Sequence, residues 1–276
     1  MRPTSKIILG IILSIFIISL LFITGFSFSE RRNFTNTHSN VISIPQDNPI
    51  GIDVASHRVI VLEAESAENE GKINYGFSYE HCSLNLNPTA PKEESKLFIP
   101  EALDGYIAAK TNRDTLKILI KVDELRKKYG EEGNKYIHFL GVNIDLHTSN
   151  VNVINKVLGF PTEVRNIETD SIRIVSNGNI LIESCKAMVI DPVMDESYRK
   201  LNVKNSIAQT IHLDLDRIRN WNMEGCDIEV QNLTGSGKHN IIQHRNEKIK
   251  INWYPKNENA ELNIKVPGDT VQIVFQ

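Results

Sequence analysis

Positive charge is not in excess in this sequence: 31 Lys and Arg stand against 34 Asp and Glu, for a formal charge of -3. A chain without a basic field has nothing to hold a phosphate backbone, so no nucleic acid is expected among its partners. Cysteine is scarce. Cys82, Cys185 and Cys226 are an odd number, which outside the cytoplasm leaves at least one thiol unpaired and does not resemble a disulfide framework. Catalytic signatures are missing as well. No Gly-X-Ser-X-Gly elbow nominates a serine nucleophile. The stretch "NLTGSGKHN", residues 232 to 240, resembles a phosphate loop but has Asn232 and His239 where Gly and Ser or Thr are required, and no helix pattern follows it. It reads as a turn. Metal-ligand spacing is equally thin, since His239 and His244 would face opposite sides of a strand and His81-Cys82 has no second ligand pair. No catalytic residue, no cofactor and no metal site is therefore expected. The weak metal candidates are Asp214 and Asp216 in "IHLDLD". They would share the outward face of a strand roughly 7 Å apart, with Leu213 and Leu215 inward.

What is present begins with one apolar run. Ile7 to Phe28 is 22 residues without a charge, which as a helix reaches roughly 33 Å, enough to cross a bilayer core. Its length exceeds the apolar region of a cleaved signal peptide, so it reads as a transmembrane signal-anchor. Residues 1 to 6, with Arg2 and Lys6, form a short cytoplasmic N-terminus, and the body of the chain is extracytoplasmic. That places the protein in the bacterial inner membrane, single-pass, with a periplasmic main domain in the cell envelope and the membrane itself as a partner. The alternative is secretion after signal cleavage, because Ser27 and Ser29 are spaced as a cleavage site requires. Residues 29 to 50 lack periodicity and are rich in Asn, Ser and Thr, as a flexible tether would be. Residues 51 to 276 are then the folded domain.

Within that domain the recurring signal is a short alternation of apolar and polar residues, as in Leu116/Ile118/Ile120, Ile172/Ile174, Ile180/Ile182 and Leu213/Leu215. Side chains alternate faces along a strand, so each set points into one core and the fold class is all-β. Helical patterning is confined to residues 123 to 135, a helical turn or surface loop, and to one brief helix within residues 100 to 110. Steps of 21 positions separate Val151 from Ile172, Ile167 from Met188, Ile207 from Ile228 and Ile228 from Ile249. That is about one turn of a β-solenoid-like stack of short strands. Asn177-Gly178 is also a hairpin signal, so an antiparallel β-sandwich is the alternative. If the stack holds, "DSIRIVSNGNILIESC", residues 170 to 185, is two strands joined at a corner.

The order of "SKLFIPEALDGYIAAKTNRDTLKILIKV" (residues 95 to 122), "YIHFLGVNIDLHTSNVNV" and the repeated short strands after them resembles the putative auto-transporter adhesin, head GIN domain family. It is also similar to the putative-adhesin β-solenoid group of bacterial envelopes. The resemblance covers residues 52 to 276 and implies a right-handed stack of strands with no catalytic residues to carry over. The chain departs from that pattern in "DPVMDESYRKLNVKN", residues 191 to 205, which reads as an insertion, and in its few Gly-Ser-Gly repeats. The function expected is a membrane-tethered, non-enzymatic binding or scaffolding module whose partner is an envelope polysaccharide or protein. The alternatives are a carbohydrate-active enzyme working through Asp214 and Asp216, and an envelope-stress sensor.

Overall fold

The computed structural model describes residues 40–65, 74–90, 93–129, 136–195, 199–218, 220–242 and 250–265. In chain order the first strands are β1 (Asn40–Ser43), β2 (Pro49–Asp53), β3 (Val59–Glu65), β4 (Asn74–Phe77), β5 (Ser83–Asn87), β6 (Lys96–Pro100), β7 (Ile107–Asn112) and β8 (Thr115–Lys121). After helix α1 (Val122–Tyr129) come β9 (Tyr136–Leu140), β10 (Asn143–His147), β11 (Val151–Asn155), β12 (Thr162–Arg165), β13 (Glu168–Ser176), β14 (Ile180–Glu183) and β15 (Lys186–Met194). The last are β16 (Lys200–Lys204), β17 (Ile207–Asp214), β18 (Asn220–Glu224), β19 (Asp227–Gly235), β20 (Lys238–Ile242), β21 (Lys250–Pro255) and β22 (Glu261–Lys265). The fold is all-β, as its alternating sequence requires. A 3-10 turn at Glu101–Leu103 is the brief helix expected near residue 100.

Two large open sheets enclose the core. One has the order β18-β16-β14-β12-β5-β10-β6-β2 and the other β21-β19-β17-β15-β13-β11-β3-β8-β7. From β11 to β19 the chain crosses from one to the other and back, and each strand lies parallel to the strand one turn earlier. A single inward column runs through Val151, Ile172, Ile190, Ile211, Gln231 and Ile251. Its steps are 21, 18, 21, 20 and 20 residues, so the repeat has no fixed length. Val151 to Ile172 is a true register pair, whereas Ile228 pairs with Ala208 and leaves Ile207 outside, 51% exposed. Ile249 lies outside the described residues. Asn177-Gly178 is a corner: β13 and β14 belong to different sheets. Gly178 is required there, because a Cβ would sit 2.0 Å from the Phe160 carbonyl oxygen.

From β12 to β19, each passage from the eight-stranded to the nine-stranded sheet goes through one left-handed residue. Asn166, Ser184, Asn205 and Gly225 have φ of 57°, 55°, 48° and 64°. The hydrogen-bond ladder continues through these corners, with Asn166, Ser184 and Asn205 donating to the carbonyls of Glu183, Lys204 and Glu224. Asn and Gly tolerate that conformation best, and the amides of the first three corners are satisfied by the next turn.

Several expectations need correction. A solenoid-like stack over all of residues 51 to 276 is not formed: β6 is antiparallel to β10 and β2, and β7 to β8. β5 and β3 enter between strands distant in sequence, because their partners are brought by long returns of the chain. The antiparallel sandwich is not formed either, since the pairs from β11 to β19 are parallel. The supposed tether already contains structure, for β1 pairs with β9 and its Ile42 is buried, as is Ile44 just after it. The stretch 191 to 205 is no insertion; it is the end of β15, a connection and β16. Residues 7 to 28, read as the anchor, and residues 1 to 6 lie outside the described residues. Among those described, no helix is long and apolar enough to cross a membrane.

Candidate functional site

The outer face of the nine-stranded sheet carries an open groove of about 430 Å³ across β13, β15, β17 and β19. It arises from a local break in the two-residue alternation. In these strands the inward residues are Ala187 and Ile190, Ala208 and Ile211, Ile228 and Gln231, each pair three positions apart instead of two. Two residues face outward between them, so each strand bends, and the bends coincide across the sheet. Thr169, Ala187 and Ala208, mutual register partners, line the floor between the two rows. One wall is the in-register row Glu168, Lys186, Ile207 and Asp227. The other is Asp170, Met188, Gln209 and Glu229, all exposed.

Charge is unevenly placed along it. Glu168 and Asp170 stand at the β13 end, Asp227 and Glu229 at the β19 end, and the apolar Met188 and Ile207 between them are both about half exposed. The Lys186 ammonium lies 2.7 Å from Glu168. Among the described residues no cation pairs with Asp170, Asp227 or Glu229. Sequence reasoning missed this site because period-two alternation fails across the bend; the usable signal was the three-residue spacing of inward positions, repeated in consecutive strands.

The sequence-nominated pair lies elsewhere. Asp214 ends β17 and Asp216 follows in a turn, where its carboxylate accepts the Ser236 amide at 2.9 Å and approaches His239 Nε2 at 3.1 Å. Both carboxylates converge on the Lys256 ammonium, at 2.6 Å and 2.9 Å. Partial burial works to raise the Asp216 pKa, but the Ser236 and Lys256 donors outweigh it and hold the carboxyl well below the usual carboxylate range. The same two carboxylates raise the Lys256 pKa against the opposing effect of desolvation. The arrangement is a charge clamp between turns of the chain, and no group of three metal-ligating side chains occurs among the described residues.

The remaining candidates fall into structural places. Ser236-Gly237, from the phosphate-loop lookalike, is the tight turn between β19 and β20. None of the three cysteines is in a disulfide. Cys185 and Cys226 occupy equivalent corners two turns apart, with Ser206 between, and the Ser206 hydroxyl accepts the Cys185 amide. Burial pushes the Cys82 and Cys185 thiols up, away from reactive thiolate.

No family model matches the chain, and no curated protein does. It is similar to solved structures at low identity. One is a putative adhesin from Bacteroides fragilis NCTC 9343, 17% identical, covering 82% of this chain and 96% of that one with a TM-score of 0.43. A second is a putative lipid binding protein from Parabacteroides distasonis ATCC 8503, 13% identical over 83% and 98% of the two chains, TM-score 0.37. A third is a putative adhesin from Parabacteroides merdae ATCC 43184, 11% identical over 83% and 100%, TM-score 0.39.

Proposed function

We propose that this chain is a membrane-tethered, extracytoplasmic binding or scaffolding module, adhesin-like and non-enzymatic, whose nine-stranded sheet presents the groove to an envelope ligand. The tether in this reading is the apolar run at residues 7 to 28. The observation that carries it is the groove itself, a concavity with an apolar centre and charged ends on a rigid parallel sheet. Such a surface supplies what a binding site needs: apolar area to remove from water and a few polar groups to fix orientation. The backbone beneath its walls is held in the strand ladders, so only the wall side chains have to be ordered when a ligand arrives.

The carbohydrate-active alternative asks Asp214 and Asp216 to work as acid and base. A general acid at neutral pH needs a raised pKa, and Asp216 is held in the opposite direction by Lys256 and Ser236.

The test is calorimetric titration of the full chain, in detergent, with envelope polysaccharides, fatty acids and linear amines, beside an Ile207→Trp variant that obstructs the exposed middle of the groove. Binding by the wild type that the variant loses is the expected result. Binding that the variant retains unchanged, or no binding at all, overturns the reading, and release of reducing ends from a polysaccharide overturns its non-enzymatic part.

A further inference from the structure

The ends of the groove differ from its middle, and that difference narrows the ligand. Its acidic ends lie on β13 and β19, three strand spacings apart, which at about 4.8 Å each is roughly 14 Å. The two walls are two residues apart along each strand, or roughly 7 Å from row to row. The groove is open along its length, so its ligand is set by the spacing of its charged ends and by the apolar stretch between them.

From these dimensions and charges we infer that the groove binds a linear dication, two primary ammonium groups joined by a methylene chain. One ammonium meets Asp227 and Glu229. The other meets Asp170 and shares Glu168 with Lys186. The methylene chain lies over Met188 and Ile207, taking both half-exposed side chains out of water. The backbone of the floor is engaged in the ladders between strands and is not offered to the ligand. Selectivity therefore rests on the length of the chain and on the presence of charge at both ends. The carboxylates are exposed, so the ionic part weakens as salt rises while the apolar part does not.

This inference rests on the groove being a binding site, and the experiment separates the two. The full chain is titrated with decamethylene diamine, whose extended nitrogens match the separation of the ends, and with decylamine and putrescine, which lack one charge or most of the length. The expected result is at least tenfold tighter binding of the long diamine than of either control, with most of that preference lost in Asp227→Asn/Glu229→Gln. Both positions are exposed and the changes are nearly isosteric; thermal melting confirms that the variant folds, and raising the salt concentration of the wild-type titration gives a second measure of the ionic ends. Decylamine binding as tightly as the diamine, or a preference that survives both the double variant and high salt, overturns the dication. If another ligand class binds and Ile207→Trp blocks it while the diamine shows no preference, the dication falls and the binding module stands. If nothing binds, both fall.

Discussion

Between Val151 and Pro255 each strand of the nine-stranded sheet lies beside the strand one turn away, 18 to 21 residues distant, whereas between Asn40 and His147 the neighbours, the local β7-β8 hairpin excepted, are returned from much farther along the chain. β5 meets β10 at an offset of 60 residues, β3 meets β8 at 56 and β1 meets β9 at 97. Closing a loop three times longer costs about 1 kcal/mol more in chain entropy, and the N-terminal region must recover that through packing. It does so with bulk. Phe77 stacks on Phe139 at 5.4 Å and meets Phe160 edge-on at 5.0 Å, filling the space where the short β1-β9-β4 sheet adjoins the large ones. The later turns use aliphatic columns, and that order fades at the end of the stack, where Ile251 and Trp253 are only partly buried. One core thus joins a region held by non-local wedges to one held by repetition.

The largest expected effect sharpens that gradient. Ile190 is wholly buried in the middle of the inward column, so Ile190→Asp places an unpaired charge there and should cost upward of about 4 kcal/mol. Ile251→Asp, in the same column but near its end, should cost less than half as much. Denaturant midpoints decide it: equal losses would mean that the column has no end effect and that the repetitive region is uniform along its length.

A smaller effect tests the junction between the regions. Gly178 approaches the Phe160 carbonyl, and Phe160 belongs to the aromatic wedge. Gly178→Ala must push that backbone aside, at about 1 to 3 kcal/mol by the usual cost of overpacking. A melting temperature within a degree of wild type would show the corner to be pliable and the regions loosely joined.

The smallest effect lies at the charge clamp in the later turns. The folded-state pKa of Asp216 is depressed, so its contribution to stability is present above its unfolded value near 4 and is lost as pH falls below that. Lys256→Met should lower stability at neutral pH by less than about 1 kcal/mol, because the pair is partly exposed. It should also flatten the acid limb of the stability curve. An acid limb of unchanged steepness would assign the pH dependence to other carboxylates.

The legible part of this fold was the part built from local repetition. Val151 and Ile172 could be paired from spacing alone, and Leu116, Ile118 and Ile120 are buried as their alternation requires. Ile207 could not be placed, because the bend adds one residue between inward positions and reverses the facing of everything before it. Asn40 to Ser43 was hidden for a different reason: four residues carry too little alternation to stand out, and their partner lies 97 positions away. At the candidate site, the two aspartates were legible as a close pair, but not the lysine 40 residues later that bridges them. The groove depends on the same bend recurring in consecutive strands, a coincidence visible only once the registers are known.

The left-handed corners at Asn166, Ser184, Asn205 and Gly225 also make the groove countable. Each turn between two such corners is a self-contained cassette of about 20 residues that adds one rung to both walls. Duplicating the segment from Asn205 to Glu224 would lengthen the groove by one strand spacing, about 4.8 Å, without remaking either end. Tandem duplication of one cassette is thus a direct genetic route to a longer groove, and loss of one cassette a route to a shorter.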